Sequence, residues 1–236
     1  MVTGTAIKHL YAQSVHGARR ALERRGASFS APPPEKRWRH WAVSLTAIHD
    51  PGAMVGLGVP WWTYSAIAEV EAWLLRRRHP VRVFEYGSGA STVWLSRRAD
   101  EVFSVEHDAG FAQCMAPALT NYDNASVRTV RAEPMPHPVV PSAKPGHVGL
   151  DFAAYVGAID DVPGTFDLIV IDGRARTACL EASVGRLADD GLIVFDNSRR
   201  RRYRAAISRS GLDERIFRGL TPSLPYPEQT SLLVRS

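Results

Sequence analysis

Three stretches of this sequence run from apolar residues into groups that can hold a ligand. The first is Glu85-Tyr86-Gly87-Ser88-Gly89-Ala90-Ser91-Thr92, which closes the apolar run beginning at Val81. Gly87 and Gly89 allow a tight turn and close approach of a ligand to the backbone. A dinucleotide fingerprint would carry a third glycine at position 92, where this chain has Thr92. The carboxylate of Glu85 beside the turn favours a ligand bearing a cationic amine over a pyrophosphate. An ordinary strand–helix turn is the competing explanation.

The second stretch ends at Glu106, about twenty residues beyond Gly87, the separation at which an acidic side chain accepts hydrogen bonds from a ribose diol. Glu133, past the next apolar run, is a candidate for contact with an adenine edge or a plain surface acid. The third is a pair of runs. Phe166–Ile171 (FDLIVI) stops at Asp172, and Leu192–Phe195 stops at Asp196-Asn197. Two carboxylates and an amide oxygen form a hard, oxygen-only set suited to Mg²⁺ or a similar cation. Alternatively, Asp172 and Asp196 cap the helices that follow them.

The elements that position these groups follow from periodicity. Ile67, Val70, Trp73 and Leu74 share one face of a helix that begins at Thr63 and stops at the Arg76–Pro80 cluster. Strands are expected at 81–86, 102–106, 127–132, 166–171 and 192–195, with late strands at 215–218 and 231–234. Helices are expected over 91–98, 110–120, a segment carrying Leu180, Val184 and Leu187, and 200–210. Pro51–Pro60 reads as loop. Alternating strands and helices predict a doubly wound sheet, whose ligands bind beyond the C-terminal strand ends at the point where strand order reverses. Upstream, residues 18–25 have helical propensity and residues 28–34, ending in three prolines, read as a linker.

Composition narrows the function classes. No apolar run approaches the roughly 18–20 residues of a membrane span, and no signal-peptide core is visible, so a cytoplasmic protein without a membrane partner is expected. Cys114 and Cys179 have neither disulfide-framework nor zinc spacing and are expected to be buried helix residues. The net charge of +5 is spread along the chain without an RNA-binding signature, which argues against a nucleic-acid partner.

Taken together, EYGSGAST, Glu106, Asp172 and Asp196-Asn197 resemble the class I S-adenosylmethionine (SAM)-dependent methyltransferases over residues 60–236. The resemblance implies an α/β, Rossmann-like doubly wound sheet of seven strands with the last strand antiparallel. With the helical propensity and linker upstream, the chain divides into an N-terminal helical appendage over 1–45 and a methyltransferase domain expected over 46–236. SAM would be held by Glu85, Gly87, Gly89, Ser91, Glu106, Glu133 and Asp172. The Asp172, Asp196, Asn197 set is similar to the metal site of catechol-type and macrolide-sugar O-methyltransferases, which implies Mg²⁺ chelating neighbouring substrate hydroxyls. Those families often place a Lys or His base three residues after the first metal ligand, and here that residue is Ala175.

A closer resemblance is to actinobacterial sugar O-methyltransferases of methylmannose polysaccharide synthesis, carried by DGRAR, DNSRRRRY and FRGLTPSLPYPEQTSLLV. It implies a saccharide acceptor; a phenolic or macrolide sugar is the alternative, and a homodimer is the assembly expected. For the base, His147 in the loop SAKPGHVGLD is the first candidate, because loops at the ligand edge close over substrates. Asp172 is a second candidate and His137 a third, and a solvated loop residue is the competing reading of His147. Trp61, Trp62 and Tyr64 offer aromatic faces to a sugar or to the core. Arg174 and Arg176 stand nearer Asp172 than the run Arg199–Arg202 does.

Overall fold

A computed structural model describes residues 31–47, 50–142 and 144–235. Seven strands form one sheet: β1 (Arg82–Tyr86), β2 (Glu101–Glu106), β3 (Ala125–Thr129), β6 (Phe166–Ile171), β7 (Leu187–Asp196), β8 (Asp213–Gly219) and β9 (Glu228–Val234). Their order is β3-β2-β1-β6-β7-β9-β8. The pairs from β3 through β7 are parallel, and β9 runs antiparallel to both β7 and β8. This is the expected doubly wound sheet with its last strand reversed. Two-residue strands β4 (Glu133–Pro134) and β5 (Leu150–Asp151) pair separately.

The alternation of side chains across the strands builds two cores. Val83, Leu168, Val170, Leu192 and Val194 face one layer, with α3 (Tyr64–Leu75) and α4 (Ala90–Ser96). Phe84, Ile169, Ile171, Ile193 and Phe195 face the other, with α6 (Ala153–Gly157), α7 (Arg176–Val184) and α8 (Arg201–Arg209). Every residue of β6 is buried, as its continuous apolar sequence requires of a strand covered on both faces. Each such isoleucine or leucine contributes about 1.5–3 kcal/mol.

Helix α3 starts where Thr63 Oγ1 accepts from Ala66 N at 3.4 Å, and it buries Ile67, Val70 and Leu74. Beyond it, Arg77 lies 3.9 Å over the Trp73 ring. Helix α1 (Arg37–Ser44) is bonded into the same core. His40 Nε2 donates to Leu57 O at 3.0 Å, so its Nδ1, 2.6 Å from Tyr64 Oη, accepts from that hydroxyl. Ser44 Oγ accepts from Ser223 N at 2.8 Å and Trp41 Nε1 donates to Leu224 O at 2.8 Å. The helix expected over 18–25 lies outside the described residues.

Several expectations are corrected. Pro51–Gly56 is a helix, α2, because Asp50 Oδ1 accepts from Ala53 N at 2.9 Å and Pro51 stands at its first turn. Leu187 opens β7 and pairs with Phe166; the strand bulges before Leu192, which disguises it. Gly191 is what lets the bulge close, since a Cβ there would meet Ala188 O at 2.9 Å. The third strand spans 125–129, and residues 130–132 leave it. Helix α5 (Ala109–Leu119) turns Cys114 to solvent, whereas Cys179 on α7 is buried. Among the described residues no helix is long and apolar enough to cross a membrane.

Candidate active site

β1 is paired with β2 on one side and β6 on the other, so the loops leaving β1 and β6 diverge and open a crevice at their C-terminal ends. A cavity of about 880 Å³ occupies it. Its wall holds Gly87, Gly89, Ser91, Glu106, His147, Asp172, Asp196 and Asn197. Most of the residues singled out from sequence therefore meet in one place.

The glycine turn divides its work. Gly87 has φ +98°, and a Cβ there would stand 2.7 Å from Gly173 Cα. Gly87 is needed so that the turns after β1 and β6 can lie backbone to backbone before they diverge. A Cβ at Gly89 would meet nothing nearer than 4.0 Å, so that position is open to a ligand.

Glu106 is 3% exposed and pre-oriented at the cavity wall. Its Oε2 accepts from Ser88 N at 3.1 Å and from Ser88 Oγ at 3.4 Å, while its Oε1 accepts from Asp108 N at 2.9 Å. His107 Nδ1 lies 2.7 Å from Oε1 without the alignment of a hydrogen bond. Two backbone N–H groups thus hold a carboxylate ready to accept from a ligand.

Glu85 does not reach the cavity, contrary to expectation. It lies inside β1 rather than past it, so its side chain turns into the helix layer with Val83. There it is fully buried among hydroxyls. Thr92 Oγ1 and Ser104 Oγ each donate to Oε2 at 2.6 Å, and Ser91 Oγ donates to Oε1. Burial pushes its pKa from 4.5 up to about 7, against the pull of the three hydroxyls. A carboxyl raised in this way stabilises the fold fully below pH ~4.5 and loses that contribution as pH rises through ~7. Relative to Glu85→Gln, the wild type is expected to lose on the order of 3 kcal/mol between those limits. Melting curves of both proteins from pH 4.5 to 8 check this, and parallel curves would refute it.

Glu133 is exposed on β4 and faces a separate shallow depression beside Gln113 and Arg131, outside the main cavity. His147 is half-buried on the cavity wall, its ring stacked on Phe152 at 6.0 Å and 5.7 Å from His107. Burial lowers its pKa, and the nearby charges of Arg174, His107 and Lys144 act the same way. Trp61 joins the wall, whereas Trp62 is wholly buried in the core and Tyr64 is engaged by His40. His137 is not on the wall.

The carboxylates at the ends of β6 and β7 come together as expected, but a guanidinium stands between them. Arg176, 6% exposed, donates from Nη2 to Asp172 Oδ1 at 2.7 Å and to Asp172 O at 2.6 Å. Its Nε donates to Gly173 O at 3.1 Å, and its Nη1 donates to Asp196 O and lies 3.8 Å from Asp196 Oδ2. Burial alone would lower the pKa of this arginine; the two carboxylates overcome that and raise it. Burial and the neighbouring Asp172 push Asp196 up to about 7, and burial also raises Asp172 against the pull of Arg176 and Arg174. The pair titrates together, with one guanidinium shared between two carboxyls.

These residues do not fit a resident divalent cation. A positive charge already occupies the space between the carboxylates, and a second would be repelled by it in a poorly solvated setting. The left-handed backbone of Ala175 (φ 47°) flanks the pair at a strain of about 1–3 kcal/mol, and Asn197 (φ 51°), a residue type that takes this conformation readily, flanks it on the other side.

Sequence reading missed Arg176 as the clamp and Ser104 as a partner of Glu85. Ser104 carried a signal: it is a polar residue in an apolar strand, and the parallel register sets it opposite Glu85.

No family model matches the chain, and no curated protein matches it in sequence. Solved structures do. Precorrin-6y C5,15-methyltransferase from Geobacter metallireducens GS-15 is 15% identical with a TM-score of 0.52, covering 72% of this chain and 88% of that one. The cofactor-bound Rv0187 from MTB is 19% identical with a TM-score of 0.52, covering 71% and 76%. The precorrin 8w decarboxylase from Methanobacterium thermoautotrophicum is 13% identical with a TM-score of 0.50, covering 74% and 91%. At these identities the likeness establishes a shared fold.

Proposed function

We propose that this chain, which has the Rossmann-like fold of the class I methyltransferases, transfers a methyl group from SAM to a hydroxyl of a small polar acceptor, a saccharide being the class that suits the cavity. The observation that carries the reading is Glu106: a buried carboxylate at the end of β2, aimed by two backbone N–H groups, facing the open glycine turn at Gly89. That pairing suits a ribose diol beside a segment that packs against bare backbone.

When bound, SAM supplies a methyl on a sulfonium; the S–CH₃ bond breaks, an O–CH₃ bond forms, and the hydroxyl proton leaves to a base. The chain's part is to align acceptor with donor and to take that proton. His147 suits the second task, because its lowered pKa keeps the ring neutral at pH 7. Asp172, open on one side to the cavity, is the alternative base. Trp61, Tyr203 and Tyr226 offer faces to a sugar ring, and Arg174, Arg200 and Asn197 offer donors to its hydroxyls. Divalent-metal assistance has no place in this mechanism, because Arg176 holds the metal's position.

Calorimetric titration with SAM tests the first half. Glu106→Gln keeps the shape of the side chain but removes the charge-assisted acceptor, whose bonds are worth about 1.5–3 kcal/mol. SAM affinity is expected to fall about 10- to 100-fold. Equal affinity in the two proteins would remove the basis of the reading. Methyl transfer to mannosides, glucosides, catechols and RNA then identifies the acceptor class.

A further inference from the structure

Arg176 stands where the resemblance to metal-dependent O-methyltransferases would place a cation. The Arg176 guanidinium spends every nitrogen on the two strand ends. Nε and Nη2 bind the backbone carbonyls of Gly173 and Asp172, and Nη1 binds the carbonyl of Asp196. The same fork meets the carboxylates, with Nη2 on Asp172 Oδ1 at 2.7 Å and Nη1 3.8 Å from Asp196 Oδ2. Asp196 Oδ1 is braced separately, accepting from Thr230 Oγ1 at 2.8 Å. A divalent ion would have to evict a buried, hydrogen-bonded cation and strip partners from both strand ends.

We propose that Arg176 is the permanent cation of this site: a positioning residue that ties the ends of β6 and β7 together and keeps Asp172 facing the cavity in place of a divalent metal. An arginine fork differs from a metal in consequence. It cannot chelate two acceptor oxygens while its own donors are committed to protein carbonyls. The acceptor is therefore oriented by side chains of the cavity wall, and turnover is independent of metal. The turnover part rests on the methyl-transfer reading; the structural part does not.

The test uses the full chain, Mn²⁺ as the probe ion, and Asp196→Asn, Arg176→Met and Arg176→Lys variants. Wild-type protein is expected to bind no Mn²⁺ that Asp196→Asn removes, to keep its Tm in EDTA and in Mg²⁺, and to methylate at the same rate with and without EDTA. Arg176→Met is expected to lower Tm on the order of 10 °C and, where it folds, to gain Mn²⁺ binding that a second Asp196→Asn change abolishes. Arg176→Lys keeps the charge and is expected to recover part of the Tm without gaining Mn²⁺ binding. Wild-type Mn²⁺ binding that depends on Asp196, or turnover abolished by EDTA, overturns the proposal. Failure to bind SAM in the same samples would sink the methyl-transfer reading and leave the metal and Tm results to decide the role of Arg176.

Discussion

Gly87→Ala is expected to lower Tm by roughly 6–12 °C and to abolish detectable SAM binding. The reasons are additive. The residue adopts φ +98°, where an alanine is strained, and its new Cβ would lie 2.7 Å and 2.8 Å from Gly173 Cα and N. Those atoms are backbone, and they cannot move aside: Asp172 N donates to Tyr86 O at 3.0 Å, and Gly173 O is held by Arg176. Overpacking costs about 1–3 kcal/mol and a left-handed non-glycine about 1–2 more. A total near ~3 kcal/mol corresponds to that shift in Tm for a chain of this size. The same displacement would pull Ser88 away from Glu106 and undo the pre-oriented carboxylate. Gly89→Ala is the control. Its backbone is extended and its Cβ would meet only open cavity, so it should keep the wild-type Tm while weakening SAM binding. If Gly87→Ala melts like the wild type, the contact between the two turns is not as tight as described.

His147→Ala is expected to reduce kcat about 10²- to 10⁴-fold while leaving SAM affinity within about twofold, because general-base catalysis supplies a factor of that size. The pH profile adds a sign. A base works when deprotonated, and burial, helped by Arg174, His107 and Lys144, holds the His147 pKa below 6.5. The acid limb of the wild-type kcat/KM should therefore lie below the ordinary histidine range, where the ring takes up a proton. In His147→Ala that acid limb should vanish along with most of the rate. Retention of both rate and limb would transfer the role of base to Asp172.

Much of the site was legible because one rule governs it: in a doubly wound sheet, chemistry collects just past the strand ends. Glu106 and Asp196, the last residues of β2 and β7, and Asp172 and Asn197, the first past β6 and β7, follow that rule and meet at the cavity. Glu85 broke it because it lies within its strand, where alternation turns its carboxyl into the helix layer, among Ser91, Thr92 and Ser104. Glu133 failed for another reason. The third strand ends early at Thr129, so the chain has already turned outward when it reaches residue 133. The metal expectation rested on counting oxygens. The sequence places Arg176 four residues past Asp172, but the conformation of a long side chain is decided by tertiary contacts, which spacing does not reveal. The helix at Pro51–Gly56 was hidden by its glycines, although the Asp50-Pro51 pair is a start signal in its own right.

Strand β9 follows every other strand in sequence yet lies between β7 and β8, and through Thr230 it braces Asp196 and receives Thr63 N at 3.1 Å. During synthesis the edge of β7 must therefore wait, unpaired, until residues 228–234 leave the ribosome. A nascent chain in that interval presents an apolar, hydrogen-bond-hungry edge of the kind that seeds aggregation. Overproduction in a host short of chaperones should thus leave a larger insoluble fraction when β9 is weakened, by Leu232→Ser for instance, than when an equally destabilising change is made in β1.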